Sequence, residues 1–179
     1  MIQLSAMMWV MAAFFAIIGF LRGWNRELVA TAGIILGLFA LFQFDSLLRG
    51  TLLVNVPRDQ VLLVQAGIFI AIVFFAYQTR SISSADVRRR EGRDNLQESV
   101  LGGLLGFLNG YLVWGSLWYF MDINEYPLAP YIVAPSPGSP SDQARTLLPL
   151  VILGGGPGGT GDLLAVAVIV LFVVVLILI

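Results

Sequence analysis

Arg22, Arg26 and Glu27 form the densest charged cluster bordering a long apolar run in this chain. They lie in the stretch Gly19-Phe20-Leu21-Arg22-Gly23-Trp24-Asn25-Arg26-Glu27-Leu28, between apolar residues 1–21 and 28–44. Charges at a membrane edge are functional candidates by default, so Arg22, Gly23, Arg26 and Glu27 suit a site for an ion, an anion, a lipid headgroup or a partner. The same residues also suit a plainer role, in which the arginines anchor topology and Glu27 complements the dipole of the helix it opens. Gln65 and Asn109 are polar residues inside apolar runs. Side chains of this kind bond across helices, contributing roughly 0.6–2 kcal/mol, whereas a permeation path needs more polar lining than these two and Ser116.

Other chemistry is narrowed by what the composition omits. The sequence has no Cys and no His, and all ten Lys-plus-Arg residues are Arg. Disulfides, thiolate and Schiff-base chemistry, the soft metal ligands and the commonest general acid/base are therefore excluded. Asp122 and Glu125 are paired in sequence but have no third ligand near them, which suits a solvated loop start better than a metal or acid/base centre. The expectation is a non-enzymatic protein with no catalytic residues, no cofactor and no metal. A net charge of −1 gives no reason to expect nucleic acid.

Positioning these residues falls to membrane helices. A hydrophobic content of 58% and a mean hydropathy of +0.88 lie far outside the soluble range. The pattern predicts an all-α, polytopic integral membrane bundle of about five transmembrane helices over 1–21, 28–44, 61–77, 99–120 and 163–179. The first run lacks a basic leader and a small-residue cleavage site, and reads as a retained helix. Gly23 suits the C-terminal stop of helix one, and Asn25 is placed to cap helix two. Gly33 with Gly37, and Gly102, Gly106 and Gly110 after Gly19, carry the small-residue spacing through which helix backbones approach closely in lipid.

Loop charge orients the bundle. Arg22, Arg26, Arg80, Arg88, Arg89, Arg90 and Arg93 fall on one side, and Arg49, Arg58 and Arg145 on the other. The positive-inside rule then predicts an outside N-terminus and an inside C-terminus, with the mixed-charge stretch 78–98 a cytoplasmic loop. Residues 121–162 hold seven of the eight prolines and two glycine clusters. That composition predicts an extracytoplasmic Pro/Gly-rich loop that is either disordered or held by a partner. Trp114, Trp118, Tyr119, Tyr126 and Tyr131 are expected to form an outer aromatic belt.

Two stretches echo one another, 17–24 (Ile-Ile-Gly-Phe-Leu-Arg-Gly-Trp) and 104–111 (Leu-Leu-Gly-Phe-Leu-Asn-Gly-Tyr), as the halves of an inverted repeat do. Together they resemble the colicin V production protein (CvpA) family of small bacterial inner-membrane proteins. Gly19, Phe20, Arg22, Gly23, Arg26, Glu27, Leu28 and Gly33 match the first signature of that family. Leu101, Gly102, Gly106 and Gly110 match the second, and Asn109 stands where the family usually shows Arg. The resemblance covers roughly residues 1–120 as a four-helix membrane domain, followed by the loop 121–162 and a terminal helix, 163–179.

What the resemblance implies is a multi-pass protein of the bacterial cytoplasmic (inner) membrane. Its role would lie in toxin export or envelope homeostasis, exercised through other membrane protein subunits within the lipid bilayer. The alternatives are a structural accessory subunit of a large respiratory or photosynthetic complex, and a small transporter or channel component.

Overall fold

A computed structural model describes residues 3–78 and 92–178, with side chains described over 3–78 and 96–177. Five main helices follow one another: α1 (Leu4–Arg22), α2 (Trp24–Gln43), α3 (Arg58–Gln78), α4 (Gly92–Ile123) and α5 (Asp162–Leu178). No strand occurs among the described residues. The fold is an all-helical membrane bundle: α1, α2, α3 and residues 96–123 of α4 are long and apolar enough to cross a bilayer, and α5 is a shorter apolar helix. Most of the predicted polar loop 78–98, including Arg80, Arg88, Arg89 and Arg90, lies outside the described residues, as does the side chain of Arg93. The loop is shorter than predicted, because α4 is already helical from Gly92.

The turn between α1 and α2 is a single residue. Gly23 takes φ 83° and donates its N–H to Gly19 O at 2.9 Å, closing α1. This is left-handed φ space that Gly enters without steric cost. Gly23 also occupies the N-cap of α2, which makes no side-chain cap bond. The expected Asn25 cap is therefore wrong: the chain reverses so abruptly that helix resumes at Trp24 and Asn25 is already inside it.

Against α1, the antiparallel α4 presents a ridge of glycines. A Cβ built on Gly106 would stand 2.9 Å from Gly19 Cα, and one on Gly110 would stand 2.7 Å from Ala12 Cα. A Cβ on Gly102 would meet Gly23 C at 2.7 Å. These are backbone atoms with nowhere to move, so the two helices touch main chain to main chain. The opposite stripe of α1, Val10, Phe14, Ile17 and Leu21, recurs at three- and four-residue steps and is exposed. On the other flank, Gly33 and Gly37 of α2 admit Ala76 and Ile72 of α3, where added Cβ atoms would meet side-chain carbons at 2.6 and 2.7 Å. Between the two seams lie the fully buried Ile34, Leu38 and Phe69.

The Pro/Gly segment is folded onto the chain's own helices, which differs from the predicted disordered or partner-held loop. It contains the short helical turns Pro140–Ala144, Arg145–Leu147 and Pro149–Ile152. Ser141 Oγ accepts from Ser5 N at 3.2 Å, and Tyr111 donates its hydroxyl to Leu147 O at 2.5 Å. Pro149 fits the notch left by Gly115, and Leu148 and Leu150 are buried. The glycine-rich end bonds to itself and to α5, with Gly161 N on Gly154 O and Leu164 N on Leu153 O.

Most of the predicted aromatic belt does not face outward. Trp118, Tyr119 and Tyr126 are interior, with Trp118 Nε1 donating to Tyr126 Oη at 3.0 Å, whereas Tyr131 is exposed. Asp122 and Glu125 are engaged too, with Arg145 at 2.9 Å and with Arg58 respectively. Glu125 is exposed, as expected of a solvated loop start, whereas Asp122 is largely covered by its pairing with Arg145.

Gly106→Ala should lower the thermal unfolding temperature in detergent, because its Cβ would land on backbone. Gly67→Ala meets nothing within 4 Å and replaces a mid-helix glycine. It should be neutral or stabilising by up to about 1 kcal/mol. Equal effects from the two substitutions would contradict the seam.

Candidate functional site

Glu27 is fully buried, one turn into α2, and four helices converge on it. From the end of α1, Arg22 places Nη1 2.7 Å from Glu27 Oε1 and donates Nη2 to Tyr77 O at 3.0 Å. Its guanidinium also lies 4.4 Å from the centre of the Tyr77 ring. Tyr77, in the last turn of α3, donates its hydroxyl to Glu27 Oε2 at 3.2 Å. From α4, Asn109 Nδ2 reaches Glu27 Oε2 at 2.8 Å and Glu27 O at 3.3 Å. The single Thr31 hydroxyl proton lies within reach of both Glu27 O (2.8 Å) and Asn109 Oδ1 (2.7 Å).

Each partner is placed by a structural constraint. Arg22 reaches inward because Gly23 ends α1 beside Glu27. Asn109 faces Glu27 because its neighbours Gly106 and Gly110 hold α4 against α1. Thr31 lies one turn beyond Glu27 on the same face of α2. A carboxylate only accepts hydrogen bonds, so Asn109 must present its amino group to it, leaving Oδ1 for Thr31.

The knot contains one cation and one carboxylate. An isolated buried charge costs several kcal/mol, and the pair is tolerable because every oxygen of Glu27 is occupied. With Oε1 on Arg22 and Oε2 on Tyr77 and Asn109, the carboxylate has no substrate-facing edge in this arrangement. The chemistry on display is cohesion between helices. Arg26 is not part of it: its side chain is exposed, and among the described residues no hydrogen bond or ion pair ties it to Glu27.

The second buried polar residue, Gln65, lies towards the other end of the bundle. It donates Nε2 to Asp45 Oδ1 at 2.9 Å and accepts from Asn124 Nδ2 at 2.8 Å. Asp45 is gripped by Arg49, through Nε at 2.8 Å and Nη2 at 2.5 Å. Gln65 and Asn109 thus belong to two separate networks. Outside the spans, burial pushes the Tyr126 phenol up to about 12, and the hydrogen bond to Asp122 raises the Arg145 guanidinium further above its usual range. Trp114 Nε1 and Ser116 Oγ are buried with no partner among the described residues.

Thr31, Tyr77, Asp45, Arg49 and Asn124 are network members that the sequence reading did not assign to a site. Thr31 had a local signal, its four-residue spacing from Glu27. Asp45 and Arg49 had the same four-residue signal, and Tyr77 and Asn124 are brought in by tertiary packing. Among the described residues, no group of three or more His, Cys, Asp or Glu side chains is placed to hold a metal ion.

A helical membrane bundle with a charged knot at its first hairpin is the class that this fold and site define. Within that class, the chain belongs to the colicin V production protein family, whose model matches residues 4–136. The match runs from α1 through α4 into the following connection, beyond the stretch of roughly 1–120 that carries the sequence resemblance. No curated protein and no solved structure matches the chain.

Removing one charge of the knot strands the other. Arg22→Gln should cost about 3–5 kcal/mol of stability. Arg22→Gln combined with Glu27→Gln should recover more than half of that loss, measured by unfolding in mixed micelles. Additive losses would show that the two side chains are not coupled.

Proposed function

We propose that this chain acts in the bacterial cytoplasmic membrane as a multi-pass, non-enzymatic protein of toxin export or envelope homeostasis, working through protein partners. Its N-terminus would lie outside and its C-terminus inside, as the arginine distribution favours. The supporting observation is the closed state of the Glu27 knot. The most heavily charged group of buried side chains satisfies itself, so it serves to hold a shape that partners recognise.

The accessory-subunit alternative drew its main support from the Pro/Gly segment, read as a clamp on neighbouring subunits. Contacts to Ser5, Tyr111, Gly115 and Phe42 within the same chain engage that segment, which weakens the case for a clamp. A small transporter or channel component has less support still. Among the described residues, the buried polar side chains Glu27, Asn109 and Gln65 are tied into two separate knots.

Native purification in mild detergent, with the intact mass and the identity of every co-purifying chain, tests this reading. The expected result is a small particle that carries a defined membrane or export partner. A large particle of fixed composition would favour the accessory subunit instead. A particle that carries no partner under any mild condition would contradict action through partners.

A further inference from the structure

Between the C-terminal ends of α2 and α4 lies a cavity of about 230 Å³. It is lined by the apolar side chains of Leu41, Phe42 and Leu150 and by a polar ledge of Asp45 and Arg49, with Ser46 at its exposed rim. The glycine-rich loop 156–159 completes the lining. Arg49 commits Nε and Nη2 to Asp45, and its Nη1 carries no bond among the described residues. Arg49 lies in a π-helical turn, Leu48–Leu52, whose widened geometry is marked by Leu53 N bonding to Leu48 O at 2.8 Å. Such turns recur at functional sites.

Two observations argue for the kind of occupant. The first is position: the cavity lies where α2 and α4 end, beside an apron of exposed apolar side chains, Phe44, Leu47, Leu52 and Val54. An exposed apolar apron in the connection between two helices long and apolar enough to cross a bilayer suits contact with membrane lipids, which would then lie at the mouth of the cavity. The second is charge: the ledge holds one carboxylate and one guanidinium, fixed side by side. A purely anionic headgroup would meet the Asp45 carboxylate unfavourably, whereas a zwitterion can set its phosphate on Arg49 Nη1 and bring its ammonium near Asp45, whose oxygens already accept from Arg49 and Gln65 and which attracts it by charge alone. The volume falls below the ~300–1,000 Å³ typical of pockets that engulf a whole small-molecule ligand. It suits a headgroup whose chains remain outside.

We propose that this cavity binds the headgroup of a zwitterionic phospholipid of the phosphoethanolamine type, with its acyl chains laid along the Phe44, Leu47, Leu52 and Val54 apron. The site is independent of the Glu27 knot and of the family role proposed above.

The test is native mass spectrometry of the delipidated chain in mild detergent. It is titrated separately with phosphatidylethanolamine, with phosphatidylglycerol of the same acyl chains, and with free phosphoethanolamine. The expected result is one phosphatidylethanolamine per chain, bound about tenfold or more tighter than phosphatidylglycerol, with no measurable binding of the free headgroup. Arg49→Gln should abolish that preference. Ser46→Trp, which fills the rim and leaves the Asp45–Arg49 pair intact, should weaken phosphatidylethanolamine binding by about tenfold in a chain that unfolds at the wild-type temperature. Equal binding of the two lipids, unchanged by either substitution, would reduce the cavity to an ordinary lipid contact and overturn the proposal. Preference for phosphatidylglycerol would overturn the zwitterion, and tight binding of free phosphoethanolamine would overturn the lipid.

Discussion

Main-chain contact between α1 and α4 is the constraint on which the rest of this structure depends. In a bilayer the tails are as apolar as leucine, so helices gain little from hiding apolar side chains and must gain from fit. Gly19 on one helix and Gly102, Gly106 and Gly110 on the other provide that fit by having no side chains. The close approach brings the end of α1 and the middle of α4 to the same point on α2. Arg22 and Asn109 can then both reach Glu27, and a charge that would be intolerable alone becomes a tie between four helices.

The knot and the seam act on different properties. Close packing supplies attraction without much direction, and a glycine ridge alone tolerates sliding by one turn. The Glu27 network allows no such slide: a shift of one turn would strand a buried carboxylate, a guanidinium and a carboxamide together. Its contribution is to register more than to strength, in keeping with the modest net value of buried ion pairs. At the other end of the bundle, Gln65, Asn124 and Asp45 form a second and uncharged-to-charged network, and the Pro/Gly segment covers that end through Pro149 at Gly115 and Ser141 at Ser5.

Much of this was legible in the sequence, and the exceptions have physical causes. The long apolar runs announce the helices, and the four-residue glycine spacing announces a face for close approach. Gln65 and Asn109 stand out as polar residues in apolar surroundings, and both are buried. Composition cannot say which helix will face which, so Tyr77 and Asn124 carried no signal and Trp118, Tyr119 and Tyr126 read as belt residues. Prolines and glycines report where regular helix breaks, not whether the broken chain will find surfaces to lie on. The notch at Gly115 that receives Pro149 exists only once the bundle is assembled. Glu27 read as an interfacial charge because it borders a polar stretch, and a one-residue turn at Gly23 turned that border into an interior.

The chain has no native cysteine, which allows the central contact to be measured directly. A Cβ built on Gly103 stands 3.5 Å from Phe20 Cβ, within the range a disulfide spans. Phe20→Cys with Gly103→Cys, oxidised in membranes, should therefore cross-link within a single chain and run as a monomer of altered mobility under denaturing, non-reducing conditions. Cross-linking that yields only dimers, or none, would contradict an α1–α4 seam inside the chain, and with it the convergence of Arg22 and Asn109 on Glu27.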